Sequence, residues 1–169
     1  THCISSAASD VYKRQGVGSM AVQIAKYLGA EVIASASADN HAYLKGLGAD
    51  QVIDYRRQDF TQWRPAVDVV LDLVGEQTQA LSFALLKRHG VLVSPVSQPD
   101  ITLANDYGVT PVNFATRGDG GQLARIAELF DQGRLQVAVQ AFPLSDAPQA
   151  LEKSRGRHGH GRLVLDMAR

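Results

Sequence analysis

The sequence has a single cysteine, Cys3, in 169 residues, which excludes an internal disulfide and any metal site built on paired thiolates. It also lacks an excess of charge of either sign. Lys and Arg number 17, Asp and Glu number 17, and they are scattered, so there is no one-signed field to hold nucleic acid or an anionic membrane. No apolar run approaches the roughly 20 residues that span a bilayer, and no basic segment leads into an apolar stretch as in a secretory signal. A cytoplasmic address is expected, with neither nucleic acid nor membrane as a partner. Repeats and low-complexity tracts are likewise missing. What remains is an ordinary composition, 45% hydrophobic and 20% charged, long enough for one folded unit with a substantial core.

The first fifteen residues, THCISSAASDVYKRQ, show neither strand alternation nor helical periodicity, whereas everything after Gly16 is patterned. The run Asp10 to Gln15 resembles a frame translation of a transposon end used to tag DNA. Residues 1–15 are therefore expected to be a non-native leader. From there, apolar residues from Val17 to Leu28 recur at three and four, with Gly29 at the C-cap place, which predicts a helix. A strand is predicted at 31–37, a helix at 40–47 stopped by Gly48, and a strand at 51–55. A weaker helix is predicted at 59–64, a strongly apolar strand at 67–73, a helix at 77–86, a strand at 90–95 and a less certain one at 111–115. This alternation predicts an α/β fold, a doubly wound, mostly parallel Rossmann sheet with its first strand missing or replaced. Residues 16–134 would form the dinucleotide-binding domain, including a helix within 118–133. Residues 135–169 change character, with strands at 135–139 and 162–166 flanking a helix at 145–154.

Gly16-Val17-Gly18 falls where a strand would turn into the first helix. Glycine there lets the backbone approach a pyrophosphate, and the helix N-terminus offers free N–H groups and positive partial charge. Two glycines alone read equally well as a tight packing turn; the following helix and strand favour phosphate binding. The second strand ends Ala34-Ser35-Ala36-Ser37 without the carboxylate that would take both ribose hydroxyls of NAD and repel a 2′-phosphate. Small hydroxyl residues leave room for that phosphate, so NADP(H) is expected ahead of NAD(H). Asp39 could reverse this by turning inward, but it is read as the N-cap of the helix that starts at Asn40.

A collinear set of stretches carries a more specific resemblance: GVGSMAVQIAKYLGAEVIA, LKGLGADQVIDYRRQDF, VDVVLDLVG, LLKRHGVLVS, DGGQLARIAELFDQGRL, FPLSDAPQALEKS and GRLVLDM. Together they resemble the cofactor domain of the medium-chain dehydrogenase/reductase superfamily, in its zinc-free quinone oxidoreductase (zeta-crystallin-like) branch. The resemblance implies Gly16, Val17 and Gly18 at the pyrophosphate and Ser35, Ser37 and Asn40 around the adenosine ribose. It implies Tyr55 near a 2′-phosphate, though half-buried packing would explain that residue equally well. Leu73, Val74 and Gly75 would lie along the cofactor, and Pro95, Val96 and Ser97 near the nicotinamide. The chain departs from the pattern at Glu76, where a glycine is usual, at His89, where paired glycines precede Gly90, and at Arg162, where a lysine is common. The family's N-terminal, chaperonin-like substrate domain has no counterpart here, and residues 135–169 would normally return to it.

An H-x-H at His158 and His160 in a Gly/Arg loop, without neighbouring acids or cysteines, is read as solvated, and no metal is expected. Ser94, Ser97 and Ser145 lack a hydrolase elbow. Asp68 and Asp72 share a face of the fourth strand, where loop contacts explain them as well as acid/base work does. No catalytic residue is named, because hydride transfer needs mainly positioning and the cofactor carries the chemistry. The expected function is that of a nucleotide-binding fragment whose full-length parent passes hydride from NADPH to a small-molecule quinone or α,β-unsaturated carbonyl; alone, the fragment is expected to be inactive. The alternatives are a non-catalytic nucleotide-binding or structural module and, less well supported, a methyltransferase, which would want an acid where Ser37 stands. A homodimer is left open.

Overall fold

The computed structural model describes residues 2–6, 12–54, 57, 67–155 and 161–167. Strand β1 (His2–Ser6) leads to helix α1 (Tyr12–Tyr27), β2 (Glu31–Ala36), a 3-10 turn (Ala38–Asn40) with α2 (His41–Gly46), and β3 (Gln51–Asp54). Then follow β4 (Val67–Asp72), α3 (Glu76–Leu85), β5 (Leu86–Ser94), α4 (Ile101–Tyr107) and β6 (Thr110–Asn113). The six strands form one parallel sheet in the order β3-β2-β1-β4-β5-β6. This is the doubly wound dinucleotide-binding order, with its switch point between β1 and β4.

Alternation along β2 separates two cores. Val32, Ala34 and Ala36 pack with Val22 of α1 and Leu44 and Leu47 beside α2, while Ile33 joins Val70, Phe83, Leu92 and Ala104 on the other side. Successive side chains of a strand point to opposite faces, so α1 and α2 cover one face and α3 and α4 the other. Gly29 and Gly48 have φ of 81° and 102° as their helices end, matching their expected role as stops.

Four expectations need correction. The unpatterned residues 2–6 supply the central strand, with Cys3 opposite both Val32 and Val69, so of the two expectations for the first slot, missing or replaced, the first does not hold. A parallel central strand is paired on both edges and needs no polar/apolar alternation, which is why periodicity failed to mark it. Second, α1 begins at Tyr12 instead of at the glycines; Lys13, Arg14 and Gln15 are good helix formers and nothing stops the helix before them. Third, α4 went unforeseen although Asp100 caps it, its carboxylate accepting from Thr102 and Leu103 N–H, and Gly108 ends it in the left-handed region. Fourth, Asp39 lies inside the 3-10 turn, and the N-cap of α2 is Asn40. The expected helix at 59–64 lies outside the described residues.

The remainder is built differently. Helix α5 (Gly120–Asp131) buries no residue. Strand β7 (Val139–Pro143), helix α6 (Ala147–Arg155) and strand β8 (Arg162–Asp166) make a separate two-stranded parallel sheet. The seventh strand thus starts where 135–139 was expected to end. Leu135 is instead buried, and both backbone groups of Gln136 bond the Gln23 side chain of α1, with Gln136 N–H donating to Oε1 at 2.8 Å and its C=O accepting from Nε2 at 3.0 Å. At the departure from the family pattern near Gly90, His89 itself takes the glycine-like conformation, φ 68°.

Candidate functional site

The C-terminal ends of β2, β4 and β5 meet at the edge of the sheet where a doubly wound fold leaves its crevice. At the end of β2, Ser35 is 0% exposed and its hydroxyl is the one fully buried side-chain polar atom without a hydrogen-bond partner among the described residues. Such a group costs on the order of 1–3 kcal/mol unless something satisfies it. One turn on, Asn40 Nδ2 donates to Ser37 Oγ at 2.8 Å, so Ser37 and Asn40 are brought together. Asp39 is exposed, and the buried carboxylate nearest in register is that of Asp54, at the end of β3 opposite Ala36.

After β4 the chain turns sharply around Asp72, which is fully buried. Its Oδ1 accepts from the N–H groups of Val74 and Gly75 at 3.0 and 2.9 Å, and Oδ2 accepts from Gln79 Nε2 at 3.1 Å. These loop contacts, not acid/base work, account for Asp72, while Asp68 pairs with Lys87 at 2.9 Å. Gly75 has φ 82°, and a Cβ there would lie 3.0 Å from Ser97 Oγ and 3.4 Å from Val96 Cγ2. Glycine is thus required twice over, for conformation and for the close approach of two loops. Leu73, Val74, Gly75, Val96 and Ser97 are brought together by this approach, with Pro95 in the same loop.

Gly16, Val17 and Gly18 are placed otherwise than expected. They lie inside α1, more than one turn from its start, where backbone N–H groups point to carbonyls four residues back and are not free for a phosphate. The turn before the helix, residues 7–11, lies outside the described residues, as does Tyr55. A residue singled out only as a retained cation gains a place: a Cβ on Gly16 would lie 2.6 Å from Arg162 Nη1 and 2.7 Å from its Cζ. With glycine at 16 the guanidinium rests against the helix backbone, a contact between distant positions that the sequence does not announce.

The residues present are compatible with the adenosine-ribose and nicotinamide ends of a dinucleotide through the orphaned Ser35 hydroxyl and the loops that meet at Gly75. The Gly16–Gly18 segment as folded does not supply a phosphate-binding turn. Among the described residues no three His, Cys, Asp or Glu side chains converge as a metal site would require, and no helix is long and apolar enough to cross a membrane.

Comparison with known proteins agrees with this geometry. The family model described as zinc-binding dehydrogenase matches residues 47–165. The mouse mitochondrial NAD(P)H oxidoreductase RTN4IP1 is 29% identical over 180 aligned positions, covering 90% of this chain and 46% of its own length. The solved quinone oxidoreductase of Coxiella burnetii superimposes with a TM-score of 0.79 at 32% identity, covering 97% of this chain and 51% of that one. The Escherichia coli quinone oxidoreductase complexed with NADPH gives 0.73 at 28% identity, covering 97% and 56%. The chain spans about half the length of the curated oxidoreductases it matches. Sheet order, crevice and matched residues agree, and the chain belongs to the zinc-binding dehydrogenase family of the medium-chain dehydrogenase/reductase superfamily.

Proposed function

We propose that this chain is the dinucleotide-binding part of an NADPH-dependent oxidoreductase of the zinc-free quinone oxidoreductase branch. Its parent would pass hydride to a quinone or related α,β-unsaturated carbonyl compound. The observation that carries the reading is the end of β2, where the Ser35 hydroxyl is buried and has no hydrogen-bond partner among the described residues, Asn40 ties the Ser37 hydroxyl, and the strand itself ends in small hydroxyl residues instead of a carboxylate. Bound there, the cofactor would supply the hydride. The chain's own residues would bind and orient: Ser35, Ser37 and Asn40 at the adenosine ribose, Leu73 to Gly75 along the dinucleotide, and Pro95 to Ser97 at the nicotinamide.

Arg162, lying against Gly16, adds a cation next to the segment Gly16–Gly18, which partly offsets the helical winding of those glycines. The binding domain of this reading takes in β1 and the start of α1 along with residues 16–134, and residues 135–169 are strands and helix that belong with a catalytic domain. A cytoplasmic address and a homodimer belong to the proposal too; relatives include proteins named as mitochondrial and chloroplastic.

Titration of the purified chain with NADPH and NADH, followed by calorimetry, tests the proposal, together with an assay of NADPH oxidation by a quinone. Binding of NADPH in preference to NADH without turnover is expected. Preference for NADH overturns the cofactor choice, turnover overturns the inactivity of this chain, and binding of neither overturns the cofactor site.

A further inference from the structure

The loops after β4 and β5 are tied by side chains that the cofactor reading does not use. Gln79, on α3 and 6% exposed, donates from Nε2 both to Asp72 Oδ2 and to Ser97 Oγ, each at 3.1 Å. From the other side Asn113, at the end of β6, donates from Nδ2 to the carbonyls of Ser94 at 2.7 Å and Ser97 at 3.0 Å. Ser94 Oγ is 3.4 Å from the N–H groups of Val96 and Ser97, at the long limit for such bonds, so Asn113 is the stronger tie.

The direction of these bonds is determined by chemistry. Both Asp72 oxygens accept, three donors converging on them. The Gln79 amide must therefore turn its NH2 group toward Asp72, and an NH2 group can only donate. Its second hydrogen reaches Ser97, so Ser97 Oγ is compelled to accept. A hydroxyl has one hydrogen to give, and no acceptor among the described residues takes that of Ser97. The hydroxyl stands where the Gly75 side chain would be, at the approach of the two loops.

We propose that Gln79 is the positioning residue of the crevice, holding the Ser97 hydroxyl as a committed acceptor on the protein side so that its hydrogen is offered to an acceptor oxygen on the nicotinamide half of a bound dinucleotide. Asn113 keeps the Ser97 backbone in place while Gln79 sets the polarity of its side chain. This rests on the cofactor reading above and goes beyond it by naming the group that donates and the two that aim it.

Ser97→Ala, Gln79→Leu and the double variant are titrated with NADPH and with adenosine 2′,5′-bisphosphate, which fills only the adenosine half. Loss of one aimed hydrogen bond is expected to weaken NADPH binding about three- to tenfold in Ser97→Ala and to leave the bisphosphate unaffected. Gln79→Leu should weaken NADPH in the same direction, with no further loss in the double variant; a merely structural role would lower affinity for both ligands. Should Gln79→Leu not fold, Ser97→Ala decides alone. Unchanged NADPH binding in Ser97→Ala, additive losses, or NADPH bound no more tightly than the bisphosphate by the unaltered chain each overturn this inference and leave the cofactor reading standing. Binding of neither ligand by the unaltered chain overturns both.

Discussion

The six-stranded sheet and the segment after it are stabilised on different terms. In the sheet, helices cover both faces and side chains such as Val70, Phe83 and Leu92 are wholly buried. After residue 113, α5 leaves Leu123 67% exposed, and Leu135, Phe142 and Ala150 are the only buried hydrophobic residues among those described. Helix α5 nevertheless forms, capped by Asp119, whose carboxylate accepts from Gln122 N–H at 2.9 Å. Local signals are thus enough to specify a helix, but burial has to come from elsewhere.

The contrast can be broken most forcefully by truncation on both sides of it. Phe83→Ala is expected to cost about 3–5 kcal/mol, whereas Leu123→Ala on α5 should stay within about 0.5 kcal/mol; urea unfolding of both variants measures the difference, and equal losses would mean that α5 is covered in solution. Next in size is the tether. Gln23→Ala removes the paired bonds to Gln136 and should cost about 1–3 kcal/mol. Amide exchange of Val139 to Phe142 is expected to accelerate while that of Val70 and Leu92 does not. Acceleration in both regions would show one cooperative unit.

The smallest effect lies within the sheet unit. Lys26 Nζ donates to both Asp50 oxygens at 2.9 and 2.8 Å, and Val32 N–H donates to Oδ2 at 2.6 Å. The Lys26 hydrogen bond foremost, then that from Val32, holds the Asp50 carboxyl below the usual carboxylate range. A carboxyl lowered in the folded state contributes stability that is present above its unfolded pKa and is lost as pH falls through its folded one. Because both side chains are about a third exposed, Asp50→Asn should remove less than about 1 kcal/mol at neutral pH and flatten the acid limb of stability against pH. An unchanged acid limb would assign that dependence to other carboxylates.

Much of this architecture was legible in the sequence because the period changes are sharp. Helices ending at Gly29 and Gly48 and the apolar run 67–73 give the alternation, and with it the sheet class. Helix α4 was less legible: Ile101-Thr102-Leu103 is β-prone, and only the Asp100 cap and Gly108 mark it. Residues 135–139 read as a strand by composition, but that stretch spends Leu135 on burial and the Gln136 backbone on Gln23, so pairing starts at Val139. At the candidate site, the serines at the end of β2 stood out as small hydroxyl residues at a strand end, while the residues around Gly75 came from the family resemblance. Gln79 and Asn113 did not stand out, since an amide that aims a hydroxyl from a helix or the next strand has no sequence period. Gly16–Gly18 lie within α1 and not at its start because a glycine pair shows where a turn is permitted, not where the helix begins.

The strand order carries a further consequence. Five residues at the start of the sequence, His2–Ser6, form the seam between β3-β2 on one side and β4-β5-β6 on the other. A sheet of this kind does not wear away from its margins: cleavage or loss of that seam divides it into a pair and a triplet, each with a newly bared edge. Assembly faces the same constraint in reverse, because both edges of the His2–Ser6 strand close only once Val67–Asp72 is in place.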